Sequence, residues 1–107
     1  MAPEGDELIL ECIVAKYGPV AVAIDAHTDS FRYYRKGVFS SGSCRNDVSS
    51  LNHAVLLVGY GTDEHAGDYW IIKNSWGTWW GDAGYVKIAR KRDNMCGIGT
   101  YATLAIF

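Results

Sequence analysis

A histidine and an asparagine at the ends of two apolar runs are the residues of this chain best suited to chemistry. His53 begins the run 53–60, and Asn74 ends the run 69–74, twenty-one positions after the histidine. An imidazole that takes a proton on one nitrogen needs its other nitrogen held as a donor, and an amide oxygen holds it without adding a charge. A neutral partner suits a nucleophile that is itself an anion, a thiolate. Trp76, two residues past the asparagine, is placed to keep water off that hydrogen bond.

Contact between His53 and Asn74 depends on the register of the antiparallel hairpin that the two runs predict. If His53 lies directly opposite Asn74, then Tyr60 lies opposite Gly67, and residues 61–66 form a six-residue loop of ordinary length. Directly opposed residues place their Cβ atoms about 4.5–5.5 Å apart, close enough for the hydrogen bond. A slip of one residue would turn the two side chains to opposite faces.

The other elements are predicted from periodicity and from turn residues. A helix is expected over residues 6–16, ending at Gly18-Pro19, with Cys12 on its buried side together with Leu8, Ile9, Ile13 and Ala15. Strands are expected at 20–24, 85–89 and 101–106, and a helical turn within 29–36. The run 53–60 is apolar on both faces, which predicts a strand covered on both sides. Together these elements predict an α+β fold, a small antiparallel barrel or sheet with one main N-terminal helix.

The composition and net charge of the chain argue against several classes of function. The chain has 107 residues, 49% of them hydrophobic, which indicates one domain with one core. A formal net charge of −2 argues against nucleic acid or an acidic membrane surface as partner, and no apolar run reaches the ~18 residues of a membrane span. The basic run 90–92 is followed by Asp93 and is expected to be a solvated turn. Scattered histidines and the lack of a Cys-x-x-Cys spacing predict neither a metal site nor a cofactor.

Three strings of this sequence resemble papain-like cysteine peptidases of the cathepsin group. They are HAVLLVGYG at 53–61, YWIIKNSWG at 69–77 and WGxxGY at 80–85, and the segments 18–24 and 96–98 extend the match over nearly the whole chain. The resemblance implies that residues 1–107 form the C-terminal, barrel-like right domain of a two-domain peptidase. The left helical domain, which carries the nucleophilic cysteine and the oxyanion-hole glutamine, is then expected to be absent from this chain.

The position of the nucleophile supports that expectation. In the family, the cysteine lies in a Cys-Gly-[Ser/Ala]-Cys-[Trp/Tyr] segment ~130–150 residues before the histidine. Only 52 residues precede His53 here. The Gly-Ser-Cys at 42–44 lies too close to His53 and has Arg45 where the aromatic residue belongs. By resemblance Cys44 instead forms a disulfide with Cys96, the alternative being two free thiols.

The resemblance also implies roles for individual residues. His53 would form an ion pair with the thiolate and then protonate the leaving amine, Asn74 would orient it, and Trp76 would shield their contact. Trp80 would line the cleft beyond the scissile bond, with packing in the core as the alternative. The pocket for the second substrate residue before the cleaved bond would be formed by the following positions: Ala23, Leu51, Asn52, Ala54 and, as its floor, Tyr101.

Two functions follow from this sequence. The first is a part of a cysteine endopeptidase that hydrolyses peptide bonds by a Cys-His-Asn mechanism and is inactive without the missing half. The second is a catalytically inactive right domain that acts as a binding or dimerisation module through the face that would cover the left domain. The resemblance implies a lysosomal or secreted protein, although the acidic start of the chain does not predict a signal peptide.

Overall fold

A computed structural model describes residues 7–41, 44–46, 48–91, 94–99 and 102–104. In chain order the elements are α1 (Glu7–Tyr17), β1 (Val20–Ile24), α2 (Asp29–Arg32), β2 (Val38–Phe39), β3 (His53–Asp63), β4 (Gly67–Lys73), β5 (Tyr85–Ala89) and β6 (Ala102–Leu104). Short 3-10 turns occupy Val48–Ser50 and Met95–Gly97. None of the helices in these ranges is long and apolar enough to cross a membrane.

The strands form one mixed sheet of six strands in the order β2-β5-β4-β3-β1-β6. Neighbouring strands are antiparallel except for β2 and β5, which run parallel. The sheet has β2 and β6 as its edges, so it is open rather than closed into a barrel. The α+β prediction is confirmed, and the purely antiparallel arrangement is corrected by the β2–β5 pair.

The β3–β4 hairpin is tighter than predicted. Tyr60 pairs with Trp70 instead of Gly67, the strands extend to an Asp63–Gly67 pair, and the turn contains only residues 64–66. The Asp63 carboxylate accepts hydrogen bonds from the N–H groups of His65 (2.8 Å) and Ala66 (2.9 Å), which closes this short turn. The predicted register is therefore wrong. A bulge between Leu57 and Gly59 also shifts the pairing by one residue midway along the hairpin.

Helix α1 is found where it was predicted, but it packs through a different face. Leu10 and Val14 are buried, whereas Cys12 is exposed and Leu8 is 68% exposed. Two carboxylates on the buried face decide this orientation. Glu7 accepts a hydrogen bond from the Trp70 indole N–H at 2.9 Å, and Glu11 pairs with the Arg90 guanidinium. The sheet-facing side thus mixes acidic and apolar residues, which the apolar pattern alone does not reveal.

Arg90 overturns the prediction of a solvated basic turn. Its side chain is only 5% exposed, with Nη1 at 2.8 Å from Glu11 Oε1. The guanidinium lies over the rings of Tyr60 and Trp70, at 4.7 and 5.4 Å from their centroids. Arg90 therefore joins α1 to the end of β5 as a buried, paired charge.

One face of the sheet carries the core and the other is partly open. Along β3, Val55 and Leu57 are buried, whereas Ala54 is exposed and Leu56 only partly covered. The prediction that this strand is covered on both sides is wrong for the chain as described. The core side also holds an aromatic cluster, which reaches the start of β3 through the contact of Trp76 with His53. The cluster consists of Phe31, Tyr34, Phe39, Trp76 and Trp80.

Candidate active site

His53 and Asn74 meet where β3 begins and β4 ends. The imidazole Nε2 lies 2.6 Å from Asn74 Oδ1. The last β4 pair is Leu56 with Lys73, so one further pair would place Asn74 opposite Val55. His53 then lies diagonally across from Asn74 on the same face, within reach of a side-chain hydrogen bond. The predicted contact is present although the predicted register is wrong.

A backbone donor determines the tautomer of His53. Asn74 Oδ1 also accepts the Ser75 N–H at 2.7 Å. A backbone N–H can only donate, so the amide atom facing both neighbours must be the oxygen, and Nε2 of His53 must carry a proton. The neutral ring therefore keeps its lone pair on Nδ1. Asn74 is 5% exposed, and its Nδ2 has no partner among the described residues.

The loop after β4 holds Asn74 in place. The Asn74 N–H donates to the Gly84 carbonyl at 3.0 Å, which ties the end of β4 to the start of β5. Gly77 and Gly84 have φ of +90° and +92°, and a Cβ on Gly84 would lie 3.3 Å from the Gly77 carbonyl oxygen. Both positions therefore require glycine, which explains the glycine-rich sequence between the two strands.

Trp76 covers the imidazole as predicted. Its ring centroid lies 4.8 Å from that of His53, with the planes inclined by 32°. On its other sides it meets Phe31 and Trp80 edge to face, at 5.6 and 5.3 Å. The indole is thus held by the aromatic cluster against one side of the imidazole, and its shielding of the His53–Asn74 hydrogen bond stays a prediction.

Trp80 lies in the core, which agrees with the packing alternative for this residue, and its role in lining the cleft stays a prediction. It is 2% exposed and donates its indole N–H to the Arg32 carbonyl at 2.9 Å. Its ring packs on Phe31 and Tyr34 with centroid distances of 5.1 and 5.7 Å. The neighbouring Trp79, by contrast, is 74% exposed. Sequence spacing alone does not distinguish the two tryptophans, because burial here depends on which ring the aromatic cluster accepts.

The predicted substrate pocket is only partly assembled by the described residues. Ala23 and Ala54 are direct partners in the β1–β3 pairing, and Leu51 lies two residues before β3. A shallow, mainly apolar cleft includes Ala54, Leu56 and Lys73 but neither Ala23 nor Leu51. Tyr101, the predicted floor, lies outside the described residues. The pocket stays a prediction.

The cysteines are placed as the resemblance implies. Cys44 and Cys96 form a disulfide. This bond removes Cys44 from any nucleophilic role, and the remaining Cys12 is an exposed residue of α1. Among the residues that the structure describes, no group of three His, Cys, Asp or Glu could hold a metal ion.

Sequence reasoning missed a buried carboxylate next to this site. Asp25 follows β1 and is 2% exposed, and it accepts a hydrogen bond from Asn52 Nδ2 at 3.0 Å. Asn52 Oδ1 in turn accepts the Ala26 N–H at 3.0 Å, so both amide atoms of Asn52 bind protein, and its place in the substrate pocket stays a prediction. Burial raises the pKa of Asp25, but hydrogen bonds from the Arg45 N–H and from His27 outweigh it and hold the pKa below its ordinary value. An acidic residue directly after a buried β-branched strand was the available signal.

Comparisons with known proteins agree with this geometry. Residues 1–106 match the family described as papain family cysteine protease. The chain is 54% identical to a cathepsin L-like peptidase of Aedes aegypti over 94% of its own length and 29% of the relative. It is 55% identical to cathepsin L of Sarcophaga peregrina, over 92% of this chain and 28% of that protein.

Solved structures show the same relation. A digestive procathepsin L 3 of the Tenebrio molitor larval midgut superposes with a TM-score of 0.89 at 50% identity, covering 96% of this chain and 33% of that one. The chain thus spans about three tenths of the length of the relatives it matches. On the family match and these identities together, the chain belongs to the papain family of cysteine proteases.

Proposed function

We propose that this chain supplies the histidine and the asparagine of a cysteine peptidase active site and hydrolyses peptide bonds once a cysteine-bearing left domain is present. The observation that carries the proposal is the His53 Nε2–Asn74 Oδ1 hydrogen bond of 2.6 Å, closed on one side by Trp76. This arrangement leaves Nδ1 of His53 as the nitrogen that exchanges protons with a nucleophile. The neutral amide adds no negative charge beside a thiolate.

The proton steps follow from the tautomer. Nδ1 takes the proton of the incoming thiol, giving a thiolate and an imidazolium whose Nε2–H stays bound to Asn74. The thiolate attacks the peptide carbonyl carbon, and Nδ1 returns its proton to the amide nitrogen as the C–N bond breaks. In the second half, Nδ1 takes a proton from water, whose oxygen attacks the thioester and releases the acid. The proton then returns to the sulfur, so the ring ends each cycle neutral.

The test combines this chain with the missing half. The chain would be co-expressed with the cysteine-bearing domain of a relative such as the Sarcophaga peregrina cathepsin L, and hydrolysis of a dipeptidyl fluorogenic amide would be measured. We expect activity only when both parts are present. Asn74→Ala should lower kcat/KM by about 10- to 100-fold, the size expected for one hydrogen bond to a charged group. His65→Ala, at an exposed histidine of the hairpin turn, is the matched control. Activity from this chain alone, or an Asn74→Ala complex as active as the wild-type complex, would contradict the proposal.

The open face of the sheet favours a second candidate function. Ala21 and Ala54 are exposed and, with Leu56, line the shallow apolar cleft on the side away from the core. A chain that works without a left domain would use this face to dimerise or to dock onto another protein. Sedimentation of the purified chain over a range of concentrations distinguishes the two. A dimer that Leu56→Lys dissociates supports the module, and a monomer at all concentrations rejects dimerisation.

The disulfide supports a location outside the reducing cytosol. A Cys44–Cys96 bond persists in oxidising compartments. We therefore propose a lysosomal or secreted protein. Alkylation of free thiols before and after reduction, followed by intact mass, measures this directly in material from the native source. Cys44 and Cys96 alkylated without reduction would contradict it.

A further inference from the structure

A second histidine lies in a polar cleft next to the candidate active site. The cleft is lined by residues of three segments: Asp25, His27, Arg45, Ser50 and Asn52. Asp25 directly follows Ile24, which pairs with His53, and Asn52 directly precedes His53. The cleft and the catalytic histidine are therefore neighbours through two separate stretches of backbone.

Asp25 is the anchor of this cleft. Its side chain is 1% exposed. It accepts hydrogen bonds from His27 Nδ1 (2.6 Å), the His27 N–H (3.2 Å), Asn52 Nδ2 (3.0 Å) and the Arg45 N–H (2.7 Å). With both oxygens engaged and buried, the carboxylate presents little negative surface to a ligand. Its role is to hold the other groups.

His27 is held in one orientation and still reaches solvent. Its side chain is 52% exposed while Nδ1 is bound to Asp25. The opposite nitrogen, Nε2, lies on the side of the ring away from that carboxylate. With Nδ1 bound to Asp25, Nε2 is the ring nitrogen that remains for a ligand in the cleft.

The charges around His27 favour an anionic ligand. Asp25 is buried within its hydrogen bonds, and Arg45 brings a positive charge on an exposed side chain, since its backbone N–H is the group bound to Asp25. Ser50 and Asn52 line the same cleft and are uncharged. Among the described residues that line the cleft, the basic side chains are thus His27 and Arg45, and the acidic side chain is buried.

We propose that His27 and Arg45 form a carboxylate-binding subsite beside His53, which takes a carboxylate of a peptide close to the scissile bond. The inference rests on the proposed function for its place in catalysis, but the binding itself does not. The carboxylate has two possible sources, the C-terminus of a short peptide or an Asp or Glu side chain. In the first case the enzyme favours cleavage near a free C-terminus, and in the second it favours acidic sequences.

A binding experiment tests the subsite without any catalysis. The ¹⁵N- and ¹³C-labelled chain would be titrated at pH 5.5 with N-acetylglycylglycine and, separately, with its C-terminal amide, while the His27 ring signals are followed by NMR. We expect the acid to bind about 3- to 10-fold more tightly than the amide, as for partly exposed charged pairs. Arg45→Gln should remove this preference without disturbing the fold, since only the Arg45 backbone contacts Asp25. His27→Gln should remove it as well, and His65→Gln is the control.

Equal affinity for acid and amide in the wild-type chain would overturn the subsite. So would an acid preference that survives in both Arg45→Gln and His27→Gln.

Kinetics of the reconstituted peptidase distinguish the two sources. Peptides would be compared as C-terminal acids and amides, and as Glu and Gln variants on each side of the scissile bond. A several-fold higher kcat/KM for the acid, reduced by Arg45→Gln, identifies the C-terminus, and the same result for Glu identifies the side chain. A complex that binds the acid but cleaves nothing would leave the subsite standing and reject the proposed function. A complex that cleaves all pairs alike would reject the subsite's part in substrate choice.

Discussion

Two imidazoles of this molecule are each held by one short hydrogen bond to a buried acceptor. His53 Nε2 lies 2.6 Å from the amide oxygen of Asn74, and His27 Nδ1 lies 2.6 Å from the carboxylate of Asp25. The acceptors differ in charge. A carboxylate holds His27, whereas a neutral amide, whose oxygen also accepts the Ser75 N–H, fixes the tautomer of His53.

The two sites also differ in what covers them. Trp76 stacks on His53 and belongs to the aromatic cluster, so the first site is partly desolvated. His27 is half exposed and opens onto a polar cleft. The difference shows how two histidines close to one pair of adjacent strands come to lie in different environments, because the hydrogen-bond partner and the cover of each ring differ.

The largest expected effect is the difference in peptidase activity between a variant of His53 and a variant of His27. In the reconstituted peptidase, His53→Ala should lower kcat about 1,000-fold, because the general acid and base is lost. His27→Ala should lower kcat/KM by no more than about tenfold, the scale of a partly exposed charged contact. Steady-state kinetics of both variants measure the difference. Comparable losses in the two would show that the rings are not functionally distinct.

The second-largest effect is expected on removal of the Cys44–Cys96 disulfide, which holds the segments that bind Asp25 next to His27. Cys44 precedes Arg45, and the Asp25 N–H donates to the Cys96 carbonyl at 2.9 Å. Replacing both cysteines by alanine should cost roughly 4 kcal/mol of stability on the loop-entropy account of a 52-residue closure. Urea unfolding measures the loss. In hydrogen exchange, the Arg45 N–H should lose protection before the N–H of Asn74 does, and the reverse order would contradict the assignment.

Asp25→Asn is expected to cost about 2–3 kcal/mol at pH 7, because an amide cannot accept all the hydrogen bonds of a buried carboxylate. The pKa of Asp25 is lowered in the folded chain. Its stabilisation is therefore complete above the ordinary carboxyl pKa of about 3.9 and is lost as the pH falls through the folded value. The gap between wild type and variant should narrow below pH 4 in urea titrations. Glu64→Gln, at an exposed turn carboxylate, is the control, and a gap independent of pH would refute the linkage.

The smallest expected effect concerns the cover of His53. Trp76→Leu should lower kcat/KM about 3- to 10-fold, the value of one aromatic contact. Trp79→Leu, three residues along the same loop but exposed, should change it less than twofold. Parallel kinetics of the two variants test whether stacking on His53, rather than loop composition, matters. Equal losses of kcat/KM in the two variants would show that the composition of the loop matters and that stacking on His53 does not.

Much of the secondary structure could be predicted because it depends on local pattern. β1 and β5 begin and end at the predicted residues, and α1 differs by one residue at each end. The face of α1 could not be predicted, since Glu7 and Glu11 bind Trp70 and Arg90, partners far along the chain. The choice between the two alternatives for Trp80 could not be made for a similar reason, because the sequence does not say which tryptophan the cluster buries.

The motifs of the sequence by themselves indicated the family and the His53–Asn74–Trp76 constellation, because their chemistry needs those side chains in that order, and the resemblance that they carry implied the Cys44–Cys96 disulfide. Only the tertiary structure decided the register that brings Asn74 diagonally to His53, the tautomer set by the Ser75 N–H, and the gathering of Asp25, His27 and Asn52. The physical reason is that a hydrogen bond requires about 3 Å between specific atoms. Distances on that scale follow from a bulge, a three-residue turn and buried charges that pair across the fold.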